Sequence, residues 1–144
     1  MIDKKTLSIW ERQGRIGFIG LGNMGSAIAM RLTKPKIDGL PLMVYDPDSI
    51  KLAPFIERGA IAAKSALELC KSCDIIFACL PTSAVTETVL FGDAGISRDL
   101  KPGQIFVDMT SGDPAISRDQ AARLAKAGVA FVDACASAES RAPP

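Results

Sequence analysis

The chain has 144 residues, 48% of them hydrophobic and 23% charged, with a formal net charge of +1. That describes one globular domain able to bury a core without disulfides, and its scattered charges leave no footprint for nucleic acid or an anionic lipid surface. Zero histidines exclude Ser-His-Asp and Cys-His catalysis and the dehydrogenases that use an imidazole base.

Residues 1–14 read as an N-terminal extension. The first apolar run of strand length, Arg15–Ile19, leads into Gly20-Leu21-Gly22-Asn23-Met24-Gly25 and a helix over Asn23–Thr33. A second strand, Leu42–Tyr45, ends at Asp46. A helix over Ser49–Arg58 follows, in which Pro54 should delay the start or kink the axis. A weak strand at Ala60–Ala62, a helix over Ser65–Cys70, a strand at Asp74–Leu80 and a helix over Ser83–Leu90 continue the alternation. The chain then runs through a strand at Gln104–Asp108, a helix over Pro114–Ala127 and a strand at Ala130–Asp133. The last helix is the clearest. Pro114 suits its first turn, Ile116, Ala121, Leu124 and Ala125 form an apolar stripe, and Gly128 supplies a stop. Six strands alternating with helices predict an α/β, Rossmann-like, doubly wound and mainly parallel sheet. Its expected span is 15–137, with 138–144 an irregular tail. No run approaches the roughly 20 apolar residues of a membrane span, so no membrane partner and a cytoplasmic location are expected.

Cys70-Lys71-Ser72-Cys73 closes a helix instead of opening one, unlike a thioredoxin-type redox pair. With Cys79 and Cys135 it offers no second close pair for zinc, so structural thiols and no metal are expected.

The glycine motif carries the functional signal because it lies between a strand and a helix. There Gly20 permits the tight turn, Gly22 lets backbone approach a pyrophosphate and Gly25 lets the helix pack on the strand, with helix N–H groups facing the phosphates. Asp46 lies 21 positions beyond Gly25 at a strand end, where a carboxylate accepts the adenosine ribose hydroxyls and repels a 2′-phosphate. NAD is therefore expected over NADP. Read without a ligand, Asp46-Pro47-Asp48 is a turn favoured for backbone reasons.

Phe18 to Gly25, Leu80-Pro81, Asp108-Met109-Thr110-Ser111 and Phe131-Val132-Asp133-Ala134 together resemble the β-hydroxyacid dehydrogenases. These are the 3-hydroxyisobutyrate dehydrogenase and tartronate semialdehyde reductase-like enzymes, related to 6-phosphogluconate dehydrogenase. The resemblance implies an N-terminal NAD-binding domain, an all-helical domain after it, and hydride transfer between NAD and a small hydroxy acid. By position, Gly20, Leu21, Gly22, Asn23, Met24 and Gly25 would hold the pyrophosphate, Leu80 and Pro81 would pass the cofactor, and Thr110 would lie near the nicotinamide. Thr110, Ser111 and Ser137 would orient the substrate. Without the resemblance, Leu80-Pro81 is an ordinary strand end and Thr110-Ser111 a turn.

The chain departs from the pattern where Cys135 replaces a proline and Ala138-Glu139 replace a glycine pair, and it stops before the family's catalytic lysine. Residues 137–142 match what a family-like Ser-Gly-Gly-Val-Pro-Arg-Ala segment yields after loss of one base, so a shifted reading frame or truncation is expected. No catalytic residue is assigned, and the hydroxy acid is a partner only in a complete enzyme. Self-association through a face beside the last strand is expected. The alternatives are a non-catalytic NAD-binding or chromatin-reader-like module, and a relative of the imine reductases.

Overall fold

A computed structural model describes residues 14–33 and 40–135. Most of the N-terminal extension, Ser137 and the 138–144 tail with its frameshift reading lie outside them. The strands are β1 (Ile16–Ile19), β2 (Met43–Tyr45), β3 (Ile61–Ala62), β4 (Ile75–Ala78), β5 (Ile105–Asp108) and β6 (Ala130–Asp133). They form one sheet in the order β3-β2-β1-β4-β5-β6, every pairing parallel. The chain winds outward from β1 to β3, returns to β4 beside β1, and winds outward again. The crevice at the carboxyl ends of β1 and β4 is therefore the switch point where such sheets bind ligands.

Helices cover both faces: α1 (Asn23–Leu32), α2 (Ala53–Ile56), α3 (Ala66–Ser72), α4 (Ser83–Phe91) and α5 (Pro114–Ala125). Alternation along the strands feeds two cores. Phe18, Val44 and Phe55 pack on one face with Leu21 and Ala29; Ile19, Ile76, Phe106 and Leu90 pack on the other with Leu69 and Leu124. The core tolerates no side chain at Gly17, where a Cβ would press into Leu69 and within 2.9 Å of Cys73 Sγ. Among the described residues, no helix is long and apolar enough to cross a membrane.

The helix expected over Ser49–Arg58 is split. A 3₁₀ turn over Ser49–Leu52 precedes α2, where Pro54 occupies the first turn and needs no donor. A further 3₁₀ turn, Ile96–Arg98, falls between the elements expected from the sequence. In α5 the expected apolar stripe is corrected. Ala125 is exposed, while Gln120 is buried beside Leu124 and donates from Nε2 to Glu87 Oε2 at 3.1 Å on α4. Glu87 also takes Arg123 Nη1 at 2.6 Å, and the guanidinium lies over the Phe91 ring.

Cys70 and Cys73 are buried, and Gln104 Nε2 donates to the carbonyl oxygens of both at 2.7 Å. Burial pushes both thiols up to about 12, which makes them inert packing groups.

Candidate active site: a dinucleotide cleft

A cavity of about 620 Å³ opens at the switch point. Its wall includes Gly20 and Gly22 of the loop after β1, Asn23, Met24 and Gly25 of the first turn of α1, Asp46 and Lys51 after β2, and Leu80 and Pro81 after β4.

The three motif glycines answer to different causes. Gly20 has φ +92°, and a Cβ there would strike the Cys79 carbonyl oxygen. Gly25 has no room either, since its Cβ would strike the Gly20 carbonyl oxygen. Both are demanded by the fold itself. Gly22 is not: its φ of −67° suits any residue, and a Cβ there would meet nothing within 4 Å. Its bare backbone forms part of the cavity wall.

The end of α1 fits the same picture. The three longer helices that follow are capped by side chains: Ser65 accepts from Glu68 N, Thr82 from Val85 N and Asp113 from Ala115 N. Helix α1 has Gly22 at that position and no side-chain cap. Its first N–H groups and its positive dipole end are left facing the cleft, an arrangement suited to phosphate.

Asp46 is buried at 7% exposure and ties the loop to the end of β2. Its Oδ2 accepts Leu21 N at 2.8 Å, its Oδ1 accepts Asp48 N at 2.9 Å, and Lys51 Nζ stands 3.8 Å from Oδ1. A carboxylate has about four acceptor positions, so two remain open to a ligand donor. The Leu21 side chain turns into the core, and its contribution is this backbone donor.

Thr110 is placed beneath the cleft. It is 6% exposed, its Oγ1 accepts Leu80 N at 3.0 Å and meets Thr86 Oγ1 at 3.3 Å, and its N–H donates to Asp108 Oδ1 at 2.9 Å. Thr110 thus fixes Leu80-Pro81 from below. Burial raises the Asp108 pKa, against the lowering effect of its Thr110 hydrogen bonds, and Asp133 across the β5–β6 register adds to the rise. Ser111 is exposed, with Oγ 3.4 Å from Cys135 Sγ. Neither Thr110 nor Ser111 belongs to the cavity wall, whereas Asn23, Met24, Leu80 and Pro81 do.

The cavity also uses residues that sequence reasoning passed over. Lys51 follows Asp46 by one 3₁₀ turn, and Val85, Val89, Ala66 and Ile96 make an apolar wall opposite. The signal for Val85 was a large apolar side chain left 37% exposed on α4. Among the described lysines, only Lys51 lines the cleft.

Residues 15–141 match the family model described as the NAD binding domain of 6-phosphogluconate dehydrogenase. The chain is 35% identical over 124 residues to 2-(hydroxymethyl)glutarate dehydrogenase of Eubacterium barkeri, covering 86% of this chain and 40% of that one. It is 39% identical over 121 residues to the mitochondrial 3-hydroxyisobutyrate dehydrogenase of Mus musculus, covering 83% and 35%. The chain therefore spans 35–40% of the length of these two relatives. An imine reductase from Myxococcus stipitatus in complex with NADP+ superposes with a TM-score of 0.72 at 27% identity, covering 81% of this chain and 39% of that one. With its glycine loop, uncapped helix and strand-end carboxylate at the switch point, the chain belongs to the 6-phosphogluconate dehydrogenase family as an NAD-binding domain.

Proposed function

We propose that this chain holds NAD across the β1–β4 crevice as the nucleotide-binding part of a 3-hydroxyacid dehydrogenase. The pyrophosphate lies on the backbone of Gly22 to Gly25, the adenosine ribose on Asp46, and Leu80-Pro81 pass along the cofactor. The observation that carries the reading is Gly22, whose missing side chain no neighbouring atom requires. NAD accepts or returns a hydride; the chain's own work is to bind and orient it. NAD is preferred to NADP because Asp46 places a carboxylate beside the ribose, with Lys51 moderating that charge. Thr110 acts in this reading by holding Leu80 in place, and Ser111 and Ser137 remain candidates for orienting the hydroxy-acid carboxylate in the complete enzyme.

Calorimetric titration of the 144-residue chain with NAD tests the proposal. Saturable one-to-one binding, competed by ADP-ribose, supports it; no heat at millimolar NAD removes it.

A second reading, cofactor binding without turnover, draws on the cleft itself. The titratable oxygen and nitrogen groups of its wall are Tyr45, Asp46 and Lys51 at the ribose end and Asp93 at the tip of the turn after α4, and this reading gives none of them to a substrate hydroxyl. An imine reductase relationship leans on the Myxococcus neighbour. We assign no nucleic-acid partner, and propose that copies associate along β6, an edge of the described sheet where Val132 is 43% exposed. The cytoplasm suits the free thiols of Cys70 and Cys73, and cell fractionation checks it against the mitochondrial location in the mouse relative's name.

A further inference from the structure

Helix α4 ends in a turn that the glycine motif does not explain. Gly92 N donates to the Thr88 carbonyl oxygen at 2.9 Å, and Gly95 N donates to the Gly92 carbonyl oxygen at 2.8 Å, closing Gly92-Asp93-Ala94-Gly95 with Asp93 and Ala94 at its tip. Both glycines are required by space. A Cβ on Gly92 would stand 2.5 Å from the Thr88 carbonyl oxygen, and one on Gly95 2.5 Å from that of Leu90. The turn is thus pinned at both ends, and its tip forms part of the cavity wall.

The position of that tip follows from the dinucleotide reading, on which this inference rests. With pyrophosphate on the glycine loop and ribose on Asp46, the purine enters the apolar side walled by Ala66, Val85, Val89 and Ile96. Two polar side chains border that side, Thr88 and Asp93. Thr88 Oγ1 donates its hydrogen to the Ala84 carbonyl oxygen at 3.0 Å, so only lone pairs face outward. A carboxylate is likewise an acceptor alone. Thr88 and Asp93 therefore offer two acceptors and no donor, while Tyr45 and Lys51, side-chain donors of the wall, belong to the β2 end beside Asp46. Adenine meets the two acceptors with an amino group, whereas a 6-oxopurine brings a carbonyl oxygen against the carboxylate.

We propose that Asp93, held by the Gly92–Gly95 turn, reads the purine of the dinucleotide by accepting the exocyclic amino group of adenine. The bland account of Asp93, a solubilising acid on a surface turn, predicts no sensitivity to the identity of the base.

The test is calorimetric titration of the full chain with NAD and with nicotinamide hypoxanthine dinucleotide, which differ at that one substituent. NAD is expected to bind about tenfold tighter, the scale of one hydrogen bond to a charged group on a wet surface. Asp93→Asn, whose amide both donates and accepts, should bring the two within about twofold. Asp93→Ala should weaken NAD to the level of the analogue, with the thermal midpoint unchanged because the side chain is exposed. Equal affinities in the unmodified chain, or a preference that survives Asp93→Asn, overturn the role of Asp93 while leaving the dinucleotide site standing. Failure of both dinucleotides to bind overturns the site and Asp93 together.

Discussion

The Asp46 carboxylate accepts the backbone N–H of Leu21 at 2.8 Å, joining the end of β2 to the glycine loop across 25 residues of sequence. One buried side chain thereby serves the fold and the ligand. It fixes the glycine loop, and in the proposed reading its remaining lone pairs are the ones that take the ribose.

Asp46→Ala should therefore have two separable effects. Losing the hydrogen bonds to Leu21 N and Asp48 N leaves the buried Leu21 N–H unpaired and frees the Asp48 N–H at the surface, and should cost roughly 1–3 kcal/mol of stability, read from urea midpoints. The same change should weaken NAD about tenfold and narrow its advantage over NADP, read by titration. Equal binding of NAD and NADP by the unmodified chain would remove Asp46 from its assigned role.

Lys51 supplies the counterweight. Its ammonium is 3.8 Å from Asp46 Oδ1 and 43% exposed, a loose pair that contributes little to stability yet sits where a 2′-phosphate would project. Lys51→Glu should leave NAD within about threefold and weaken NADP by about tenfold or more, the deficit shrinking as salt screens it. A parallel loss for both cofactors would place Lys51 elsewhere in the complex.

Gly22 and Gly25 separate a ligand requirement from a folding requirement. In Gly25→Ala the new methyl collides with the Gly20 carbonyl oxygen, so the loop or α1 must shift at about 1–3 kcal/mol. In Gly22→Ala the methyl enters open space at an ordinary φ, so stability should stay within about 0.5 kcal/mol. NAD affinity should nonetheless fall at least about tenfold in Gly22→Ala, since the methyl occupies the pyrophosphate's side of the loop. A stable Gly22→Ala chain that binds NAD normally would move the phosphate off this loop.

The alternation of strands and helices and the glycine-loop half of the cleft were legible in the sequence because they depend on neighbours in the chain. Ile16–Ile19, Met43–Tyr45 and Ile75–Ala78 are apolar runs too short for helices, and Gly20 to Gly25 follow the first of them directly. Gln120 was not legible, because its burial depends on Glu87, 33 residues away on another helix. Asp93 and Val85 escaped for the same reason: each reads as a surface residue until the turn and α4 are brought against the β1–α1 loop. Thr110 was legible as a site residue through the resemblance, but its bond to Leu80 N spans β4 and β5 and appears only in the fold.

The buried thiols set a pH limit. Cys70 and Cys73 are pushed from an ordinary 9.0 to about 12 in the folded chain, chiefly by burial. Unfolding returns them to the ordinary value and releases protons once the pH exceeds 9. Their contribution to stability is thus fully present below about pH 9 and is lost as the pH climbs towards 12. Denaturation midpoints should fall between pH 8.5 and 10.5, and fall less steeply in Cys70→Ala than in the parent. Identical slopes would mean that Cys70 ionises as readily folded as unfolded.

The 144-residue chain should bind NAD without oxidising a hydroxy acid. Removing the hydroxyl proton in step with hydride loss needs a base within hydrogen-bond reach of the substrate. The chain contains no histidine, and Lys51, the one described lysine on the cleft, stands beside Asp46 at the end proposed for the adenosine ribose. Asp108 lies beneath the cleft at 4% exposure, outside the cavity wall and with Oδ1 engaged by Thr110 N, so it is not presented to a substrate oxygen. A missing general base alone removes about 10²–10⁴-fold in rate, and loss of substrate positioning removes at least about as much again. The assay follows NADH absorbance with a panel of 3-hydroxy acids at saturating NAD, with calorimetry on the same sample establishing that the cofactor is bound. Turnover above the uncatalysed background that survives purification and disappears in Asp46→Ala would show that this chain carries a base of its own.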